Sequence, residues 1–194
     1  MQVLTQKMFC NMKSIIRKNP WLSLKYWQFR WFLNRQLMRC QSVEEIFARI
    51  YKGKGWRLGE SVSGPGSDLV YTETISKELP RLVQDLGVKT LLDIPCRDFN
   101  WMKEISLDLD LYIGADIVEE LIMLNNQRYA QDNSFPRRFE KLDVARDRLP
   151  KVDLVLCRDC LVHLSSDDIF KALQNIKKSG SKYLLCTTYT DVKK

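Results

Sequence analysis

The chain has 194 residues, 45% of them hydrophobic and 28% charged, with 31 basic and 24 acidic side chains and a net charge of +7. That length suits one domain with a substantial core, and the composition is ordinary for a globular protein, which excludes a disordered or fibrous chain. No window nears eighteen consecutive apolar residues, so no membrane span is expected, and no apolar run before a small-residue cleavage site marks a signal peptide.

The N-terminal stretch carries the basicity. Residues 1–43 hold Lys7, Lys13, Arg17, Lys18, Lys25, Arg30, Arg35 and Arg39 and no acidic residue, leaving 23 basic against 24 acidic side chains in the remainder. The body is therefore near neutral, and the overall charge is no argument that it binds nucleic acid. Within this arm, Asn19 and Pro20 form a reasonable helix start. Trp21, Trp27, Phe29, Trp31 and Phe32 scatter round the helical wheel rather than forming one stripe. The arm reads as a helix packed on the body or on a second chain. A membrane-surface helix and a mitochondrial presequence are the other readings its aromatic and basic residues admit.

"SVEEIFARIYKGKGW" reads as a short helix opened by a Ser42–Glu45 capping box. The Gly-, Ser- and Pro-rich "GESVSGPGSD" then marks a loop. "DLVYTETISKELPRLVQDLG" places Leu69, Ile75, Leu79, Leu82, Val83 and Leu86 at helical spacing, with a bend expected near Pro80 and a stop at Gly87. Strands and helices alternate from there. Val88–Ile94 is a strand, Phe99–Ser106 a short helix, "LYIGAD" a strand and Val118–Tyr129 a helix. "RFEKLD", "VDLVLC" and "KYLLCTTYT" are three more strands, the last two separated by a helix capped at Ser165 or Ser166 and closed by Gly180. Repeated β-α-β units with short connections predict a Rossmann-like α/β fold: a parallel sheet with helices on both faces.

Six cysteines occur, and Cys96, Cys157 and Cys186 fall within or just after apolar runs, the habit of reduced thiols in a cytoplasmic core. Cys157 and Cys160 have CxxC spacing, but with no second pair and a single histidine no metal site is expected.

Ligands of open parallel sheets bind at the carboxyl ends of the strands. Those ends here carry Asp93, Asp116, Asp143 and the pair Arg158–Asp159. Asp116 follows Asp93 by 23 residues, near the spacing of a carboxylate that accepts hydrogen bonds from a ribose diol, and Asp143 is placed to flank an adenine edge. A single strand-end aspartate is more often a turn residue; three on consecutive strands predict a rim. The loop after the first strand, Pro95-Cys96-Arg97-Asp98-Phe99-Asn100, has none of the glycines that admit a pyrophosphate, and Asp98 would repel one. A cationic nucleoside without phosphate, S-adenosylmethionine, suits that rim.

Residues from about 60 to 190 resemble the class I S-adenosylmethionine-dependent methyltransferases. The similarity is to a bacterial subgroup with a "DIPCGDFNWM"-type first motif, on "SVSGPGSD", "LLDIPCRDFNWM", "YIGADIVEELI", "LDV" and "VDLVLCRDCLVHLS". The charge pattern sets off a basic aromatic N-terminal arm, 1–43, and the resemblance implies a methyltransferase domain, 44–194, incomplete at its C-terminus. The resemblance also implies that Asp93, Cys96, Asp98 and Asn100 line the methionine half of the donor, Asp116 the ribose and Asp143 the adenine. The loop of Ser63, Gly64, Gly66 and Ser67 would fold over the donor, and Pro95, Trp101, Ile117, Leu142 and Arg158 would complete the donor-binding set.

Two departures bear on activity. Arg97 stands where the subgroup has glycine, which costs about 1 kcal/mol if φ is positive, and an arginine there snorkels outward or adds a cation beside a cationic donor. About five strands are present of the usual seven, as in a chain truncated at its C-terminus. His163 is the expected general base, with Asp159 orienting it or holding the acceptor. The expected acceptor is a small-molecule or glycan hydroxyl. The alternatives are a non-catalytic remnant that binds donor or partner chains and, less favoured, a nucleic-acid methyltransferase.

Overall fold

The computed structural model describes residues 41–53, 61–130 and 135–188. The chain divides into two compact units, Met1–Ile46 and Phe47–Lys194. The aromatic arm of residues 1–40 lies outside the described residues. Helix α1, Val43–Lys52, opens on the expected reciprocal cap: the Ser42 amide donates to Glu45 Oε2 at 2.8 Å, and the Glu45 amide donates to Ser42 Oγ at 3.1 Å.

The second unit holds β1 (Thr90–Asp93), β2 (Leu111–Asp116), β3 (Arg137–Lys141), β4 (Leu154–Cys157) and β5 (Tyr183–Cys186). Its helices are α2 (Leu69–Asp85), α3 (Glu119–Tyr129) and α4 (Ser166–Ser179). All strand pairs are parallel, in the order β3-β2-β1-β4-β5. Successive side chains of β1 enter two different cores, because a strand alternates its faces. Leu91 packs with Leu79 and Val83 of α2 and Ile122 of α3, while its neighbour Leu92 packs with Ala172 and Ile176 of α4. Covered on both faces, the central strands read as unbroken apolar runs.

Gly114 of β2 exists for packing: a Cβ there would stand 2.5 Å from Phe139 Cδ1 and 3.1 Å from Tyr112 Cε1. Asp153 locks β1 to β4 at the opposite end from the rim. One of its oxygens accepts from the amides of Lys89 and Thr90 and from Thr90 Oγ1, and the other pairs with Lys182 at 2.8 Å.

Some boundaries differ from expectation. Phe99–Ser106 forms only a 3-10 turn at Met102–Glu104, because Phe99 adopts φ 57° and so leaves the helical region just where a helix would start. β1 and β4 are shorter at their N-terminal ends than the apolar runs, and there the Lys89 amide donates to the Asp153 side chain rather than to a neighbouring strand. Helix α2 runs continuously through Pro80, whereas α4 begins on Ser165, whose Oγ accepts from the Asp168 amide, and ends on Gly180 at φ 73°.

Candidate functional site

The strand order reverses between β1 and β4, so the loops leaving these strands part and a crevice is expected between them. The loop after β1 first lies across both neighbours: the Ile94 amide donates to Leu156 O and the Cys96 amide to Ala115 O. Arg97 then takes φ 56°. Its amide donates to Asp116 Oδ2 at 3.1 Å, and its carbonyl accepts from Asn125 Nδ2 at 2.7 Å. Two buried side chains thus impose a left-handed backbone on a residue that disfavours it.

From that fixed backbone the guanidinium crosses the gap rather than pointing outward. Nη1 donates to Ser67 Oγ at 2.9 Å, and Nη2 donates to the carbonyl of Asp159 at 3.0 Å. The loop of Ser63–Ser67 is fastened to the strand ends by three further side chains. Arg158 Nη1 donates to Gly66 O at 2.6 Å, Asn100 Nδ2 donates to Ser67 O at 3.1 Å, and Asp98 accepts from Ser61 Oγ and the Val62 amide. Gly64 occupies φ 99°, open in practice only to glycine. A Cβ on Gly66 would meet Asp159 Oδ2 at 3.3 Å and Arg97 Nη1 at 3.6 Å. Ser63 Oγ is buried with no hydrogen-bond partner among the described residues.

The expected acidic rim is not level. Asp93 pairs with Gly114 and Asp116 with Lys141, so Asp116 lies two residues farther out along the sheet than Asp93. Recessed in this way, Asp93 is buried and accepts from Tyr112 Oη at 2.7 Å. Burial pushes its carboxyl up to about 7, against the opposing effects of the Tyr112 hydrogen bond and the Arg97 charge. Asp116 is also buried and is raised to about 6 by burial, with the Val118 and Arg97 amides opposing.

Two of the expected donor-binding carboxylates have partners within the chain. Asp98 accepts from the Ser61 hydroxyl and the Val62 amide, which engage both its oxygens. Asp143 is a turn residue: it accepts from the Ala145 amide at 2.8 Å and pairs with Arg146 at 2.7 Å. Cys96 is buried, with its thiol pushed well up by burial and by the Asp116 and Asp93 charges, and Asn125 Nδ2 lies 3.8 Å from its sulfur. Trp101 is buried, with the Arg158 guanidinium 5.8 Å from its ring centroid. Pro95, Ile117 and Leu142 are half-buried beside the ends of β1, β2 and β3, and Leu142 packs on the α4-side core.

His163 ends the 3-10 turn Leu161–His163, edge-on to Phe47 at 6.4 Å between centroids. Partial desolvation and then the Arg97 charge lower its imidazole, while Asp159 opposes them. Asp159 itself adopts φ 49° and pairs with Arg158 at 3.2 Å.

The structure therefore joins Gly66, Ser67, Asn100, Arg158 and Asp159 into one hydrogen-bonded set with Arg97. Sequence reasoning missed Tyr112, Asn125 and Ser61. Asn125 left a signal, since a polar residue four positions from Leu121 and three from Ile122 interrupts the buried face of α3.

No protein-family model matches the sequence, and no curated protein sequence matches it. Solved structures do resemble the fold. Magnesium protoporphyrin IX methyltransferase from Synechocystis PCC 6803, with bound SAM, is 16% identical with a TM-score of 0.52, covering 72% of this chain and 72% of that one. The methyltransferase domain of bacterial-CtHen1-C is 10% identical with a TM-score of 0.53, covering 62% and 71%. An S-adenosylmethionine-dependent methyltransferase from Clostridium acetobutylicum ATCC 824, 16% identical with a TM-score of 0.47, aligns over 60% of this chain, which spans only 51% of its length. At these identities the likeness concerns architecture: the chain has a Rossmann-like α/β fold, which these methyltransferases share.

Proposed function

We propose that the carboxyl ends of β1, β2 and β4 bind S-adenosylmethionine and that the domain transfers its methyl group to a small-molecule or glycan hydroxyl. The observation that carries this reading is the switch point itself, where the Ser63–Ser67 loop, Asp116 and the Arg158–Asp159 pair converge. The motif resemblance over "DIPCRDFNWM" and "CRDCLVHLS" supports it.

The residues fit an adenosine nucleoside in one respect and disagree with the donor in another. The buried Ser63 hydroxyl wants a partner, and Asp116, each oxygen of which already accepts one amide, retains lone pairs for a ribose hydroxyl. The Arg97 guanidinium, by contrast, bridges Ser67 and Asp159 in the same crevice, and its charge would oppose a sulfonium there. When bound, the donor supplies an electrophilic methyl group. The chain's own contribution is to position and to move a proton: His163, lowered and hence neutral near pH 7, can accept the acceptor's hydroxyl proton on a ring nitrogen. Asp159, held by Arg158, orients that exchange.

A second reading, a non-catalytic domain that binds the nucleoside or partner chains, is favoured by the same Arg97 bridge. A cytoplasmic location and protein or membrane-surface contact through the arm belong to both readings.

Calorimetric titration with S-adenosylmethionine and with its demethylated product, S-adenosylhomocysteine, tests the proposal; heat from neither ligand overturns it. His163→Ala then separates the two readings. The enzyme reading predicts unchanged donor affinity with turnover reduced about 10²-fold or more. Undiminished turnover removes His163 as base, and absence of turnover in the wild type leaves the binding domain.

A further inference from the structure

The carboxylates around the switch point are engaged within the chain rather than forming an open acidic rim. Asp98 is engaged by Ser61 and Val62, Asp143 by Ala145 and Arg146, and the Asp159 carboxylate by Arg158. Asp93 and Asp116 are buried behind Tyr112 and the Arg97 amide. Arg97 is left with two hydrogen bonds, both to neutral oxygens: the Ser67 hydroxyl and the Asp159 carbonyl. No carboxylate forms a salt bridge with it among the described residues. A half-buried guanidinium hydrogen-bonded only to neutral oxygens is under-satisfied, and three of its five N–H donors remain for a ligand. Its field is felt nearby, since it lowers Asp93, Asp116 and His163 alike. Asp98 is turned to the 61–62 segment rather than to Arg97.

We propose that Arg97, supported by Arg158, forms an anion subsite between the ends of β1 and β4 that receives the carboxylate or phosphate on the 5′ tail of an adenosine ligand and disfavours positive charge there. The inference rests on the nucleoside-binding reading above and deepens it by assigning the tail. A guanidinium fork matches both anions geometrically, and a charge-assisted pair outcompetes the two neutral acceptors that now hold it. Arg97 is thus a specificity residue: where a glycine would admit a sulfonium without prejudice, it selects for a negative tail.

The test is calorimetric titration of the full chain with adenosine, AMP, S-adenosylhomocysteine and S-adenosylmethionine, repeated with Arg97→Gln, which removes the charge, and Arg97→Gly, which also relieves the left-handed backbone. The expected result is that an anionic tail tightens binding over adenosine about tenfold or more, that S-adenosylmethionine binds more weakly than S-adenosylhomocysteine, and that both differences collapse in the variants. A gain confined to AMP assigns phosphate; a gain confined to S-adenosylhomocysteine assigns the amino-acid carboxylate. The subsite is overturned if neither the phosphate nor the carboxylate-bearing zwitterionic tail improves on adenosine, or if the gain survives in Arg97→Gln. Should a variant fail to fold, the four wild-type titrations decide alone. Failure of every probe, adenosine included, withdraws the nucleoside-binding reading together with the subsite.

Discussion

Asp93 turns a recessed register into a pH dependence. Its carboxyl is raised to about 7 by burial, and that of Asp116, two residues farther out, to about 6, so folding favours their protonated forms. The stability they confer is fully present below the unfolded value near 4 and is lost as pH rises through the folded values. The melting temperature of the wild type is therefore expected to fall between pH 5 and pH 8. Asp93→Asn, which keeps an acceptor for the Tyr112 hydroxyl, is expected to flatten part of that fall; an equally steep decline in the variant would place the proton elsewhere. The sequence made Asp93 visible but not its role. Its donor lies 19 residues away, the Ser61 hydroxyl that claims Asp98 lies 37 residues away, and the Asn125 amide that pins Arg97 lies 28 residues away. These are tertiary partners, which no local pattern encodes.

At the scale of elements, strands covered on both faces announce themselves, and helices whose ends carry capping residues do so too, as Ser42, Ser165 and Gly180 illustrate. The loop from Pro95 to Asn100 did not, because left-handed backbones at Arg97 and Phe99 are improbable for those residue types and are imposed by neighbours. The β2–β3 pair offers a test of how tightly the sheet is specified. Gly114→Ala drives a methyl into the Phe139 ring, which is held against Phe99 and Tyr112 by edge contacts. Destabilisation of about 1–3 kcal/mol is expected, read as a lower denaturant midpoint at unchanged slope. A neutral result would mean that β3 shifts freely against β2.

For the whole molecule, one architecture places two quite different sheet ends. One end is closed by Asp153 bridging β1, β4 and Lys182. The other gathers the Ser63–Ser67 loop, two arginines and a histidine at the strand reversal. Among the described residues no helix is long and apolar enough to cross a membrane. The account stands or falls on whether an adenosyl ligand seats at the loop-bearing end. Hydrogen–deuterium exchange of the full chain, with and without saturating S-adenosylhomocysteine, reads this directly. Slowed exchange confined to residues 61–67, 93–98 and 158–163 is the predicted result. Unchanged exchange in these segments, or protection at the opposite sheet end around Val83, Gly87 and Lys89, would contradict it.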